Sequence, residues 1–584
     1  MLTMFILSNL PGYTYGQTQK SSAMTSDFTL GTAHSLQKVR RDGANLDTLQ
    51  FPARIHLDAA RDEGESFQVV VIPSQNDLHN VKVTVDALSG PQGQLPVRWH
   101  RVEYVKTGNP SYKVEYVGWW PDPLMPSAPF DVPAERVQPL WFTIDVPPDA
   151  KPGVYHGTVA VETTNCSKSI PITMRVRNII LPRPGTLALP FGLYKGTLSK
   201  WYGQDIDIAT YAQWCEFLGK YRITPKNIGY EFVQRSIKKL PSGEKVLEVN
   251  MDALQQTVGK LADKYFAPHS YGLYRLPSAP HYLKGPEAQR SNWDATAISK
   301  PVITYFNEWK KQGFPDEVYI YGVDEPVGDD FLTFLNTAYQ QIKESVPQGK
   351  IMQTIGGTAP QLAGLVDIWC PKTTAVRKNF YKERRKAGDV LWNYICVSPV
   401  PPCANFFIDE PAIDHRILFW QTKKVQATGL LYWSTTWYNS ITAPASGEPA
   451  FPDVPMDMRQ QELFTNNWVS VNGDGLLIYP GKETTPLPSI RLEVIRDGVE
   501  DYEYITLLEQ LVEKVEALPK YQTPKGETVI QQAKQLCRIP ETISRDVDDF
   551  TKEPQIIFNR RKEIGDMIEQ LVHILEVQDW KKWK

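Results

Sequence analysis

The sequence predicts a multidomain fold in which an N-terminal β-sandwich is followed by a (β/α)8 TIM-type barrel with extra C-terminal helices. At 584 residues the chain is too long for one ordinary hydrophobic core. Its first part shows short apolar and polar alternations, typical of antiparallel strands, whereas later apolar strands alternate with amphipathic helices, typical of parallel βα units. We therefore assign residues 24–183 to the sandwich, 184–518 to the barrel and 519–584 to a helical extension packed on the barrel.

The sandwich strands are clearest at 66–73 and 140–146, where β-branched and aromatic residues predominate. A Pro- and Gly-containing turn at 147–153 leads into a further strand. Pro184 and Gly185 then mark the boundary at which the periodicity changes.

Eight strand segments are predicted beyond this boundary, with clear helices between several of them, for example at 210–221 and 330–346. The strand segments are 187–194, 223–229, 270–276, 317–323, 350–355, 366–370, 390–397 and 429–434. Eight βα units indicate a closed barrel, and barrel active sites lie on the loops at the C-terminal strand ends.

The segment 318–326, VYIYGVDEP, is an apolar strand that runs directly into two acids and a proline. Proline donates no hydrogen bond to a sheet, so the strand must end there. Asp324 and Glu325 thus lie at the C-terminal end of the fourth barrel strand, and we predict that they are the catalytic carboxylates. The alternative is a salt-bridged loop.

The adjacency of Asp324 and Glu325 in the sequence favours a substrate-assisted mechanism. Consecutive Cα atoms are about 3.8 Å apart, so Asp324 and Glu325 approach a substrate from one side. Ordinary glycosidases instead place two carboxylates on either side of the scissile bond, about 5–9.5 Å apart. The pair suits the substrate-assisted exception, in which the 2-acetamido oxygen of the sugar attacks the anomeric carbon while one acid protonates the leaving oxygen.

The tripeptide recurs at 409–411, in a Pro-rich loop after the seventh strand. Asp414 and Arg416 follow closely, and we interpret the loop as one stabilised by carboxylate–arginine pairing. A contact between Asp409 and substrate is the alternative.

A charge-rich helix is predicted to begin near Ser489 and to contain the segment 491–504, RLEVIRDGVEDYEY. We expect it to close the barrel through ion pairs with its neighbours. A later helix at 560–575 is expected to pack on the outside of the barrel.

Four segments together resemble glycoside hydrolase family 123, a family of β-N-acetylgalactosaminidases and their relatives, over nearly the whole chain. They are 63–70 (EGESFQVV), 321–326 (YGVDEP), 429–433 (GLLYW) and 491–504. The resemblance implies a retaining, substrate-assisted mechanism with Glu325 as general acid/base and Asp324 orienting the acetamido group.

Aromatic and amide side chains near the ends of the seventh and eighth strands are predicted to bind the sugar: Asn393, Tyr394, Trp433, Trp437 and Tyr438, with Trp392 beside them. Because side chains alternate between the faces of a strand, these residues cannot all face the pocket. Tyr394, Trp433 and Trp437 are the first choices.

Composition excludes several other functions. A net charge of −3 gives no electrostatic reason to expect a nucleic acid partner, and no apolar run reaches the ~18 residues of a membrane span. The 9 histidines and 6 cysteines show no metal-ligand spacing, so we predict no metal and no cofactor. The cysteines are expected to be isolated or to form at most one disulfide. An apolar start followed by a polar stretch indicates a signal peptide at 1–23 and a secreted or periplasmic protein.

The sequence thus predicts an exo-acting retaining hydrolase that removes terminal β-linked N-acetylgalactosamine from glycans or glycolipids. A barrel glycosidase acting on a different sugar and a non-catalytic carbohydrate-binding protein are the alternatives. The linkage, the aglycone and the oligomeric state stay open.

Overall fold

The computed structural model describes residues 27–51, 54–91, 93–226, 230–267, 270–275, 294–313, 318–438, 456–458, 471–518 and 524–575. The predicted signal peptide at 1–23 lies outside these residues. So do the outer ends of three predicted barrel strands, at 227–229, 276 and 317.

The N-terminal region is rich in β-structure, and its strands form two sheets. The strands are β1 (Phe28–His34), β2 (Ile55–Arg61), β3 (Glu63–Pro73), β4 (Leu78–Val85), β5 (Leu88–Gly90), β6 (Gly93–Leu95), β7 (Val97–Thr107), β8 (Trp119–Met125), β9 (Phe130–Val132), β10 (Gln138–Val146), β11 (Gly153–Glu162) and β12 (Ser167–Ile180). One sheet has the order β1-β3-β10-β7, with β8 on β7, and the other has the order β2-β12-β11-β4-β9. Both contribute to one apolar core, in which Phe67 and Phe142 stack at 5.1 Å.

Parallel strands and helices alternate after this region, as the sequence predicted. The strands are β13 (Pro190–Gly192), β14 (Thr224–Lys226), β15 (Gln234–Lys239), β16 (Lys245–Asn250), β17 (Tyr271–Arg275), β18 (Val318–Tyr321), β19 (Lys350–Ile355), β20 (Ile368–Pro371), β21 (Val390–Leu391), β22 (Asn393–Ile395) and β23 (Leu430–Tyr432). The helices among them are α1 (Lys195–Tyr202), α2 (Ile208–Lys220), α3 (Asp252–Gln256), α4 (Ala262–Tyr265), α5 (Ala295–Lys311), α6 (Asp329–Ser345), α7 (Asn379–Lys386) and α8 (Ala412–Lys424).

The parallel strands form two arcs rather than one hydrogen-bonded ring. One arc has the order β14-β13-β23-β22 and the other the order β17-β18-β19-β20-β21, while β15 and β16 form a separate antiparallel pair. A parallel bridge between Lys372 and Tyr394 links the arcs at one junction. Among the described residues, no ladder joins β14 to β17 at the other. The closed eight-stranded ring therefore stays a prediction, although every predicted strand segment overlaps an observed strand.

Side chains on the inner face of both arcs share one apolar cluster. Its members are Ala188, Tyr319, Tyr321, Met352, Ile368, Cys370, Trp392, Tyr394 and Leu431. They recur at every second position, as expected for strands with one common interior face. The intervening residues belong to the larger core that includes the helices.

The remaining strands are short: β24 (Met456–Met458), which pairs with β7, then β25 (Tyr479–Pro480), β26 (Pro486–Leu487), β27 (Ser544–Asp546) and β28 (Asp549–Phe550). The remaining helices are α9 (Ile490–Glu516), α10 (Pro524–Cys537) and α11 (Pro554–Leu575). Helix α9 begins where the sequence predicted, because the Ser489 hydroxyl accepts a hydrogen bond from the N–H of Leu492.

The charges of α9 are buried and paired, which confirms the predicted ion-pair role. Arg416 of α8 holds Asp501 with contacts of 2.6 and 2.8 Å. The pairing also extends into the N-terminal sheets, which the sequence analysis did not anticipate. Arg491 contacts Asp122 of β8 at 2.8 Å, and both side chains are completely buried.

The buried contact between α9 and the N-terminal sheets is called the seam below. Two of the four family-like segments, 63–70 and 491–504, lie against each other in it. Arg496 donates to the Ser66 hydroxyl at 3.1 Å, and Tyr504 donates to Glu63 at 2.8 Å. Gly64 makes room for the Arg496 guanidinium, because a Cβ atom at this position would lie 2.7 Å from the guanidinium carbon and Arg496 would have to shift. The resemblance in these two segments therefore reflects one shared interface.

No helix within the described ranges is long and apolar enough to cross a membrane. The six cysteines are all free thiols.

Candidate active site

Asp324 lies just beyond the C-terminal end of β18, where two hydroxyl groups fix its carboxylate. The Tyr321 phenol donates to Oδ1 at 2.8 Å and the Thr354 hydroxyl of β19 donates to the same oxygen at 3.0 Å. Tyr321 and Thr354 both lie in the buried interior, whereas Asp324 is half-buried. The carboxylate is therefore oriented by hydroxyl groups from two neighbouring strands, β18 and β19.

Glu325 turns away from its neighbour because its backbone is left-handed, with φ of +45°. This conformation costs about 1–2 kcal/mol for a residue other than glycine, and such strain is concentrated at functional sites. The Glu325 side chain is exposed, and it accepts a hydrogen bond from the phenol of Tyr394 on β22. The two adjacent acids thus contact different strands.

Thr354 connects the two acids. While its hydroxyl donates to Asp324, it also accepts a hydrogen bond from the backbone N–H of Glu325 at 3.3 Å. Tyr394 supplies a stable donor on the other side, since burial and the nearby Glu325 carboxylate raise the pKa of its phenol far above the ordinary value. The site therefore combines one exposed carboxylate under a protonated phenol with one carboxylate held by two hydroxyls.

Trp433 follows β23 and is held by a buried carboxylate. Its indole N–H donates to Asp474 at 2.9 Å, and the Tyr432 phenol donates to the other oxygen of Asp474 at 3.1 Å. Burial raises the pKa of Asp474 to about 6, and these hydrogen bonds oppose the rise. Gly475, at φ of +73°, admits the ring, because a Cβ atom there would lie 2.4 Å from it. Trp433 is therefore a fixed, half-buried platform.

The other predicted sugar-binding residues differ in their surroundings: some lie beside Trp433 or the acids, and others are buried away from them. Trp437 is half-buried and packs edge-on against Trp433 at 5.1 Å. Tyr438 is buried against Trp201 of α1, with ring centroids 5.3 Å apart. Asn393 lies on the face of β22 opposite Tyr394, where its amide donates to a threonine hydroxyl at 3.2 Å and accepts from another at 3.4 Å. The structure therefore brings Tyr394 to the two acids and turns Asn393 away from them.

The second Asp-Glu-Pro segment has a different environment from the one that the sequence analysis proposed. Asp409 accepts from the Tyr112 phenol at 2.7 Å and from the Asn472 amide at 2.6 Å, rather than from an arginine. Asp414 pairs with Lys552, and Arg416 pairs with the acids of α9. Carboxylate–arginine pairing within this loop was therefore a wrong expectation, because the arginine points into the helix interface.

The sequence analysis did not assign a role in the site to Tyr321, Thr354 or Asp474. Thr354 and Asp474 lie 30 and 150 residues from Asp324, and Tyr321 is one of several tyrosines in the region. Tyr321 and Thr354 lie near the C-terminal ends of predicted neighbouring strands, and Tyr321 also opens the family-like segment 321–326, but neither signal gave these residues a role.

Two family models match the regions described above. The model for the glycoside hydrolase 123 catalytic domain matches residues 288–508, which include both acids, and the model for the glycoside hydrolase 123 N-terminal domain matches residues 48–163. The chain belongs to glycoside hydrolase family 123. As a family 123 member it is a glycoside hydrolase, which confirms the enzyme class predicted from sequence.

Among solved structures, this family 123 enzyme is similar to a family 123 glycoside hydrolase from Clostridium perfringens whose study concerned glycolipid glycan hydrolysis. The TM-score is 0.66 at 14% identity, over 94% of this chain and 99% of that chain, so the likeness shows a shared fold.

A GH2 β-galacturonidase from Eisenbergiella tayi (TM-score 0.29, 11% identity, 81% of this chain and 72% of that chain) and a β-glucuronidase from Parabacteroides merdae (0.25, 11%, 78% and 52%) also match. Both scores are too low to support an argument about the active site. A search of the curated proteins found no match.

Proposed function

We propose that this glycoside hydrolase is an exo-acting, retaining enzyme that removes terminal β-linked N-acetylgalactosamine from glycans or glycolipids by substrate-assisted catalysis. One observation carries the proposal: the two acids are adjacent in sequence, yet one is exposed beneath a phenol and the other is fixed by two hydroxyls. Glycolipid glycan hydrolysis by the similar Clostridium perfringens enzyme supports this class of substrate.

In the proposed mechanism Asp324 accepts the acetamido N–H of the substrate, which aligns the acetamido oxygen with the anomeric carbon. That oxygen forms a bond to the anomeric carbon while the glycosidic C–O bond breaks, and Glu325 gives its proton to the departing oxygen. Water then attacks the anomeric carbon of the cyclic intermediate, Glu325 takes a proton from the water, and the ring reopens to N-acetylgalactosamine. Two inversions leave the β configuration unchanged.

The proposal includes closure of the two parallel arcs into a (β/α)8 barrel. Their inner side chains share one apolar cluster, and β14 lies beside β17 at the junction without a ladder. In such a barrel both acids, Tyr394 and Trp433 lie at the C-terminal strand ends, where barrel enzymes bind their substrates. Trp433 and Trp437 would then stack on the sugar, since aromatic faces suit apolar C–H surfaces.

Export to the periplasm or the medium is a further part of the proposal, because it would bring the enzyme to glycans and glycolipids outside its own cell. The substrate is a carbohydrate, and no cofactor takes part in the proposed steps.

A panel of nitrophenyl glycosides tests the substrate. We expect the β-N-acetylgalactosaminide to be hydrolysed fastest, with β-N-acetylgalactosamine as the first product seen by NMR. A 2-hydroxy galactoside cleaved as fast as the acetamido sugar would instead mean that an enzyme carboxylate attacks the anomeric carbon.

Two substitutions test the roles of the acids. Glu325→Gln is expected to lower turnover of poor leaving groups by a factor on the order of 10²–10⁴, with a smaller loss for nitrophenolates, which depart without a proton. Asp324→Ala should lose activity only on substrates that carry the acetamido group. Glu410→Gln in the second Asp-Glu-Pro segment is the matched control and should keep its activity. Equal losses for good and poor leaving groups would rule out Glu325 as the acid.

A further inference from the structure

Lys226 is the last residue of β14, and it lies near the aromatic side chains of Tyr194 and Tyr321. Lys226 pairs in register with Gly192 of β13. Gly192 in turn packs against the backbone of Trp433, since a Cβ atom at Gly192 would lie 1.9 Å from the Trp433 carbonyl oxygen. Ile223, which directly precedes β14, belongs to the helix-facing core, so alternation along the strand places Lys226 on the inner face. Only 3% of its surface is exposed.

The ammonium of Lys226 lies over two aromatic rings. Its Nζ is 5.2 Å from the centre of the Tyr321 ring and 5.8 Å from that of Tyr194. Within the described part of the chain, no hydrogen bond or ion pair to this ammonium is found.

This arrangement leaves the ammonium short of acceptors. A lysine has three N–H donors, and a contact with an aromatic face replaces only about 0.5–2 kcal/mol of lost hydration. A charged group in a buried position normally has a hydrogen-bonded partner. The neighbouring rings belong to the active site, because Tyr321 also donates to Asp324 at 2.8 Å. A bound substrate is therefore the natural source of oxygen acceptors for Lys226.

The geometry points to Lys226 as a substrate-binding residue that selects the terminal sugar by donating hydrogen bonds to its C4 and C6 hydroxyls. This inference rests on the proposed function, in which the acids hold the C1 and C2 substituents. The ring of Tyr321 lies against Lys226 and its hydroxyl donates to Asp324, so both groups border the same part of the site, and the hydroxyls left for the ammonium are those away from C1 and C2. Because the Asp324 carboxylate lies on the same wall, neutral hydroxyls suit the position better than an anionic substituent.

Steady-state kinetics with three nitrophenyl glycosides test this inference: the β-N-acetylgalactosaminide and its 4-deoxy and 6-deoxy analogues. Lys226→Met should lower kcat/KM for the parent sugar about 10- to 100-fold, as for loss of a hydrogen bond from a charged donor. The loss should shrink to about threefold or less for at least one deoxy sugar, whose missing hydroxyl already removes the contact. Lys195→Met is the matched control, since Lys195 lies over Phe232 but has an ion-pair partner.

The outcomes separate the inference from the proposed function. Equal losses on all three sugars would show that Lys226 is only structural, and unchanged kinetics would also overturn its role. If Lys226→Met does not fold, Lys226→Gln, whose shorter and neutral side chain removes the ammonium but stays polar, is measured by the same comparison and is subject to the same two refutations. Wild-type enzyme that hydrolyses no β-N-acetylgalactosaminide would instead refute the proposed function itself.

Discussion

Replacing Thr354 by valine tests how the two acids are held, because the substitution removes one hydroxyl and keeps the side-chain shape. The hydroxyl donates to Asp324 at 3.0 Å and accepts from the Glu325 N–H at 3.3 Å. A hydrogen bond to a charged group is worth about 1.5–3 kcal/mol and a neutral one about 0.5–1.5 kcal/mol. Since Asp324 is half-buried and Glu325 is exposed, water will replace part of both. We therefore expect a net loss of about 1.5–3 kcal/mol in transition-state stabilisation, or about 10- to 150-fold in kcat/KM.

The assay is steady-state hydrolysis of a β-N-acetylgalactosaminide, with the melting temperature measured in parallel. Most of the loss should be in kcat, because a misoriented Asp324 weakens the attack by the acetamido group more than it weakens binding. Thr224→Val is the matched control: Thr224 is equally buried, but its hydroxyl has no hydrogen-bond partner among the described residues. It should leave kcat/KM nearly unchanged. Equal effects of the two substitutions would refute the bridging role of Thr354.

Three further predictions concern the surrounding side chains. Tyr394→Phe removes the phenol that donates to the catalytic glutamate and should lower kcat/KM about 10-fold; an unchanged rate would mean that the contact has no part in catalysis. Burial raises the pKa of the Asp474 carboxyl from 3.8 to about 6, so the folded protein binds the carboxyl proton more tightly than the unfolded chain does. Protonation of Asp474 therefore stabilises the fold most below about pH 4, and this contribution is lost as pH rises through 6. The ¹⁹F NMR signal of fluorinated Trp433 should titrate near pH 6 in the wild type but not in Asp474→Asn. Asp122→Ala leaves the Arg491 charge buried without its carboxylate and should cost about 3–5 kcal/mol of unfolding free energy, measured by urea denaturation; a loss below 1 kcal/mol would contradict this.

Local sequence pattern was sufficient for much of the fold. The segment 318–326 carries both the apolar run that forms β18 and the proline that ends it, so the position of Asp324 and Glu325 followed from nearby residues alone. The predicted helix start near Ser489 is also correct, and in the structure the Ser489 hydroxyl caps α9.

The side-chain contacts that position the site residues could not be predicted from local sequence pattern, because they join distant parts of the chain. Tyr394 reaches Glu325 only because Glu325 adopts a left-handed backbone, which its residue type does not favour. Asp474 holds Trp433 from a loop 41 residues away. Asn393 and Tyr394 were both predicted to bind the sugar, with Tyr394 preferred, and the strand register decides that Tyr394 faces the acids.

The buried seam along α9 also limits how this enzyme can be divided. The two family models match separate stretches of chain, which suggests modules that could be expressed or exchanged independently. Yet Arg491 and Arg496 find their partners partly in the N-terminal sheets, at Asp122 and Ser66. A chain shortened to begin after β12 would lose these partners and leave the buried side of α9 uncovered. Truncation or domain exchange should therefore carry both sides of the seam, and the intact protein should melt in a single cooperative transition.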